Sequence, residues 1–127
     1  MQITSSAVSL TVEDVGASAS FLREHFGFAE QMAAEGFVSL GHGSAGMNVV
    51  FLARGIEVLP EDVRDQVAAG LVLAFVVADV AAEEARLRAA GVPVTMELRE
   101  EPWGERLFQV TDPNGVVIQL VEWAARQ

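Results

Sequence analysis

The chain repeats itself. LTVEDV, beginning at residue 10, lies over FVVADV, beginning at residue 75, an offset of 65 residues; Gly27-Phe28 lies over Gly91-Val92 at an offset of 64. A duplication of this size fixes the building block as one supersecondary unit used twice. Neither copy is long enough to bury both faces of its own sheet. Two copies side by side, or exchanged between chains, can enclose a shared cleft.

The pattern inside each copy is a strand, a helix and three strands. AVSLTVEDV, from Ala7, is rich in β-branched and apolar residues and reads as a strand. Asp14 is placed to cap the next segment, where Val15, Ala19, Leu22 and Phe26 form a helical stripe that Gly27 ends. FAEQMAA, GFVSLGH and MNVVFLA then read as three short strands. The more polar stretch 55–70 is a connector, with a helical turn expected over Glu61–Ala69. In the second copy LVLAFVVADV is a strand, Asp79 caps a helix from Val80 to about Ala90, and Gly91 ends it. VTMEL, ERLFQVT and GVVIQLVEW follow as strands, the last two joined by the turn Asp112-Pro113-Asn114-Gly115. The expected fold is α+β: one domain over 1–127, made of two βαβββ modules (about 7–54 and 71–123) that form an open, curved mixed sheet or incomplete barrel around a cleft.

Composition narrows the partners. There are 18 acidic residues against 8 basic ones, all arginine, for a net charge of −10. Phosphate backbones and anionic membranes require a basic face, so neither nucleic acid nor membrane is expected as a partner. A cationic ligand is compatible. No apolar run reaches the ~18 residues of a membrane span. The first residues resemble no signal peptide, so a cytoplasmic location is expected. With no cysteine, thiolate catalysis and cysteine metal sites are excluded.

SLTVEDVGASASFLREHFGF and DPNGVVIQLVEW resemble the glyoxalase / bleomycin-resistance / extradiol-dioxygenase superfamily, the vicinal oxygen chelate fold. The likeness covers essentially the whole chain, and the Asp-Pro-Asn-Gly turn before an apolar strand is its most specific mark. The resemblance implies a ligand or metal site inside paired modules, and homodimerisation. Metalloenzymes of the superfamily draw ligands from four strands. The matching positions here are Ala7, Val72, Gln119 and either Val49 or Val50. Aliphatic side chains cannot coordinate, and one amide oxygen is not a metal site. The expectation is therefore no metal and no cofactor. Pro102-Trp103-Gly104, with Arg106 beyond it, is similar to the segment that builds an aromatic wall in the metal-free, bleomycin-resistance-type drug-binding members.

The expected ligand-binding residues are Trp103, Gln119, Phe37, Met47, Phe51, Phe108 and Met32. Trp103, between proline and glycine, offers a ring face for stacking; packing at the barrel mouth or a dimer interface is the other reading. Gln119 interrupts the apolar strand Val116–Val121, where it can orient a neutral polar ligand or bond a backbone group. Phe37, Met47, Phe51 and Phe108 belong to strands expected to curve around a cavity, and Met32 can adapt its shape to a ligand. Glu97, Glu100, Glu101 and Glu105 around Trp103 make an acidic rim that attracts cations or is simply solvated. Trp123 reads as an interface or core residue. His25 sits at a helix end and His42 in a Gly-His-Gly turn, so neither reads as a ligand. Together these point to non-catalytic binding of a hydrophobic, aromatic small molecule such as an antibiotic, with no catalytic residue. The alternative is an enzyme of the same fold acting without the usual metal, with Gln119, a pocket carboxylate or His42 carrying protons.

Overall fold

A computed structural model of the chain describes residues 1–123 and divides into two compact units, residues 1–69 and residues 70 onward. The first contains β1 (Ala7–Val12), α1 (Val15–Phe26), β2 (Ala29–Ala34), β3 (Phe37–Gly41) and β4 (Asn48–Ala53). The second contains β5 (Val72–Val76), α2 (Val80–Ala89), β6 (Val94–Glu100), β7 (Glu105–Thr111) and β8 (Val117–Trp123). Each unit is the expected βαβββ module. Its four strands form one mixed sheet, ordered β1-β4-β3-β2 in the first and β5-β8-β7-β6 in the second. Neither sheet closes on itself. The fold is α+β.

Local chemistry sets the helix ends. Asp14 and Asp79 each accept a hydrogen bond from a backbone N–H three residues on, Ala17 and Ala82, at 3.1 Å. An aspartate cap of this kind contributes about 1 kcal/mol. Gly27 closes α1 in the left-handed region, φ +72°, where a β-carbon would be strained. The second helix differs by one residue from expectation: Ala90 is the cap and Gly91, φ +81°, follows it. The connector holds a turn in which the Arg64 N–H reaches the Pro60 carbonyl at 3.0 Å. It does not continue as a helix, and the Ala68 N–H instead bonds the Thr11 carbonyl at 2.8 Å.

Registers show what each sheet face carries. In the first unit Leu10 lies beside Phe51, Phe51 opposite Val38, and Val49 opposite Leu40. Leu10, Leu40, Val49 and Phe51 are buried, as are Ala19, Phe21 and Leu22 of α1, which packs on this sheet. In the second unit Phe108 stands opposite Leu120 and Val110 opposite Ile118, beneath Val80 and Leu87 of α2. Glu122 confirms which face this is, because its Oε1 accepts the Val80 N–H at the start of α2 at 2.9 Å. These apolar rungs form the core of each unit. Fully burying side chains of this size contributes roughly 1.5–3 kcal/mol each.

The expectation that Phe51 and Phe108 line a cavity is corrected here. Both are 0% exposed and belong to the helix-packed face. Val49-Val50-Phe51-Leu52 is apolar on both faces, so its sequence does not show which alternate residues point toward the helix. Met47 is also displaced from its expected strand. It lies half-buried in the bend before β4.

Candidate functional site

The faces turned away from the helices carry the positions of functional interest. In the first unit this face holds Ala7, Ser9 and Thr11 of β1, Asn48, Val50 and Leu52 of β4, and Phe37, Ser39 and Gly41 of β3. The same registers decide between the two candidates on β4. Val50 pairs with Ser9 and Ser39 on this face, whereas Val49 is fully buried toward the helix. In the second unit Ala74 pairs with Gln119 as Ser9 pairs with Val50, so Val50 and Gln119 are equivalent positions of the repeat. Ala7 lies beside Asn48, and Val72 beside Val117.

The helix-free face of the second unit is built in rungs across β7 and β8. From the turn outward they are Thr111 and Val117, Gln109 and Gln119, Leu107 and Val121, and Glu105 and Trp123. Asp112 fixes this register. Its buried Oδ1 accepts the backbone N–H groups of Asn114 at 2.8 Å and Val116 at 2.9 Å, while Gly115, φ +88°, bonds the Asp112 carbonyl. Gln119 is half-buried, and its Oε1 accepts from Gln109 Nε2 at 2.8 Å. One rung away, the Thr95 and Thr111 hydroxyls are 2.8 Å apart. The residue that interrupts the apolar strand thus has a side-chain partner.

Trp103 stands at the tip of the β6–β7 hairpin. The Glu101 N–H bonds the Glu105 carbonyl at 2.7 Å and the Gly104 N–H bonds the Glu101 carbonyl at 2.9 Å, with Gly104 at φ +94°. This tight turn lifts the indole clear of the sheet, leaving Trp103 64% exposed. Its Nε1–H donates to Glu105 Oε1 at 3.3 Å, which orients the ring. Glu105 is directly opposite Trp123, itself 48% exposed. One carboxylate therefore serves as neighbour to two tryptophans. Of the acidic rim, Glu101 is drawn into an ion pair with Arg99 at 2.7 Å. Arg106 pairs with Glu122 at 3.4 Å and reaches Glu100 at 4.0 Å.

The remaining expected residues fall in the first unit. Phe37, half-buried, faces Leu52, and Met32, 62% exposed, faces Ser39 from the edge strand β2. A bulge at Gln31 brings its Oε1 to 3.2 Å from the Ser39 hydroxyl. Gly41 makes room for that side chain. A β-carbon there would sit 2.8 Å from Gln31 Cδ and 3.2 Å from Asn48 Oδ1. His42 is a turn staple: its Nδ1 accepts the Ser44 N–H at 3.1 Å, which puts the ring proton on Nε2, and its ring packs on Phe28. His25 packs edge-on against Phe21. A shallow groove of about 820 Å³ runs past Glu35, Gly36, Arg54 and Ile56, and holds none of the expected residues. At its edge the Glu13 hydrogen bond, 2.7 Å, raises the pKa of Arg54 further above its ordinary value.

The positions that match the superfamily's metal ligands carry Ala7 and Val50 in the first unit and Val72 and Gln119 in the second. Three are hydrocarbon, and the one amide oxygen already accepts a hydrogen bond. In neither unit do these side chains fit a divalent metal. Among the described residues no group of three or more histidine, aspartate or glutamate side chains is arranged to hold one. No described helix is long and apolar enough to cross a membrane.

Sequence reasoning missed Gln109, the Thr95–Thr111 pair and the place of Trp123 opposite Glu105. The turn at 112–115 held the signal for two of these. Counting outward symmetrically from it sets Gln109 against Gln119 and Glu105 against Trp123.

Comparison with known proteins agrees with this architecture. A glyoxalase/bleomycin resistance protein/dioxygenase from Nocardioides superposes with a TM-score of 0.80 at 17% identity, covering 100% of this chain and 87% of the other. Lactoylglutathione lyase from Agrobacterium tumefaciens gives a TM-score of 0.75 at 19% identity, over 95% of this chain and 94% of the other. TnmS3, an antibiotic binding protein from Streptomyces sp. CB03234, gives 0.72 at 28% identity, over 98% and 99%. No curated protein matches the sequence. The model of the Glyoxalase/Bleomycin resistance protein/Dioxygenase superfamily matches residues 4–120. With that match added to the duplicated βαβββ architecture, the chain belongs to the glyoxalase/bleomycin resistance protein/dioxygenase superfamily.

Proposed function

We propose that the chain binds a hydrophobic, aromatic small molecule without transforming it, and that an antibiotic is the natural occupant. The observation that carries this reading is that the positions matching the superfamily's metal ligands, Ala7 and Val50 in the first unit and Val72 and Gln119 in the second, offer no metal chemistry. Without a Lewis acid or a nucleophile–base pair at these positions, what the residues retain is shape, apolar surface and a few neutral hydrogen-bonding groups, the ordinary makings of a small-molecule site. Trp103 supplies a flat, oriented ring beside Glu105, which favours a planar ligand and tolerates a positive charge on it. The likeness to an antibiotic binding protein at 28% identity supports the same reading. Phe37, Met32 and Met47 stay in the proposed set; Phe51 and Phe108 leave it. The working form is a homodimer, since each sheet ends in unpaired edge strands and every residue of β2 is exposed.

The experiment is a titration of metal-free protein with planar aromatic antibiotics and dyes, followed by recovery of the ligand. Saturation at a fixed stoichiometry with the ligand recovered intact supports binding. Conversion of a molar excess of ligand shows an enzyme instead.

A further inference from the structure

The helix-facing rungs of the two units are apolar beneath the helices in both copies, with the Arg106–Glu122 rung at the start of α2 the charged exception. The opposite faces are free to differ, and they differ most at the middle rung. Where the first unit has Ser39 opposite Val50, the second has Gln109 opposite Gln119. Two half-buried carboxamides facing each other on a sheet lose rotamer freedom and partial hydration. Their mutual hydrogen bond, Gln109 Nε2 to Gln119 Oε1 at 2.8 Å, uses one donor and one acceptor lone pair. It leaves the Gln109 oxygen and the remaining amide hydrogens unused. Among the described residues no buried side-chain nitrogen or oxygen lacks a partner, so these unused atoms are within reach of solvent or of a ligand.

We propose that the Gln109–Gln119 pair is a recognition edge for a neutral ligand group that carries a hydrogen-bond donor next to an acceptor, such as the N–H and C=O of a lactam or secondary amide. The inference rests on the proposed binding function and specifies its ligand class. The pair locks each amide against the other, so acceptor and donors are presented in fixed order. Exchanging oxygen and nitrogen in both amides gives the same edge reversed. Of the neighbouring rungs, Leu107 and Val121 are already buried, while Val117 beside Thr111 is half-buried, so the apolar floor open to a ring is on the Val117 side. Ala74, beside Gln119 on β5, adds no bulk over it. A planar ring lying on this floor brings its own polar edge to the amides. No charged side chain belongs to these rungs, so a carboxylate or ammonium placed there would give up hydration without a counter-ion. A charge on the ligand belongs instead toward Glu105.

The test uses 2-quinolone, a planar lactam, and its N-methyl derivative, which keeps the ring and the carbonyl but loses the donor. Affinities are measured by calorimetry on the wild type, Gln109→Leu and Gln119→Leu. Side-chain amide resonances of the wild type, assigned through bonds to their own backbone amides, are followed during the titrations. The lactam should bind the wild type about fivefold tighter than its N-methyl analogue, the range a single neutral hydrogen bond gives. Both glutamine amide signals should shift with the lactam, and the preference should vanish in either variant. Equal affinity for the two quinolones, or binding that leaves both amide signals unmoved, overturns the inference while leaving the binding function standing. Should neither quinolone nor the planar cation proflavine bind the wild type at all, the binding function fails and the inference falls with it. The resonance readout on the wild type decides the matter even if a leucine variant does not fold.

Discussion

The Trp103 indole N–H and the Glu105 carboxylate lie 3.3 Å apart at the mouth of the β6–β7 hairpin, and the same glutamate faces Trp123 across the sheet. A carboxylate bound to one indole and adjacent to another is a suitable neighbour for a flat cation. Trp103→Ala should weaken binding of proflavine by roughly 1–3 kcal/mol, the span from an aromatic contact to a binding hot spot. Glu105→Gln should lower it by about 0.5–1 kcal/mol, as exposed charges do, and flatten its salt dependence. Binding of a neutral planar ligand should hardly respond to Glu105→Gln. Calorimetry at two ionic strengths checks both changes, and an unchanged proflavine affinity in Trp103→Ala would place the stacking site elsewhere.

Phe51 and Phe108 should behave as core residues. Replacing either by alanine opens a cavity under a helix and should cost about 3–5 kcal/mol. Urea unfolding measures this. A variant as stable as the wild type but deficient in ligand binding would return that phenylalanine to the site.

Asp112 carries the turn that sets every rung of the second unit. Asp112→Ala strands the N–H groups of Asn114 and Val116 and should cost about 1–3 kcal/mol. Asp112→Asn keeps an acceptor oxygen and should cost less. Thermal unfolding of the two variants gives the order, and equal stability would show that the carboxylate does not hold the turn.

The fold was legible because its signals are local and repeated. Asp14 and Asp79 at helix starts, Gly27 and Gly91 at their ends, and Asp112–Gly115 between two strands each state their own geometry, and the helix signals recur at offsets of 65 and 64. Trp103 and Gln119 stood out because each breaks its surroundings, one as an aromatic in a turn and the other as an amide in a strand. Phe51 was misread because a strand that is apolar on both faces carries no period-2 signal, and Phe108 because its alternation with Gln109 and Thr111 does not say which face meets the helix. Gln109 escaped notice because its meaning depends on the residue opposite, and pairing is a property of register rather than of either strand alone.

Exposed edge strands bear on assembly. The homodimer should appear as twice 13.6 kDa by light scattering at micromolar concentration. Met32→Glu on β2 leaves both cores untouched, because its side chain is 62% exposed. If β2 lies in the interface, this variant should shift the mass toward the monomer. A wild type of monomeric mass would remove the dimer from the account.

The central claim is that this superfamily member binds an aromatic ligand with a site in which aliphatic side chains have replaced metal ligands. The most direct measurement is tryptophan fluorescence during titration with planar aromatic ligands, performed on chelator-treated protein and repeated with added Zn²⁺, Ni²⁺ or Fe²⁺. The account predicts saturable quenching at fixed stoichiometry, identical with and without metal, with every ligand recovered unchanged. Quenching that appears only with a metal, or a ligand consumed in molar excess over protein, would contradict it.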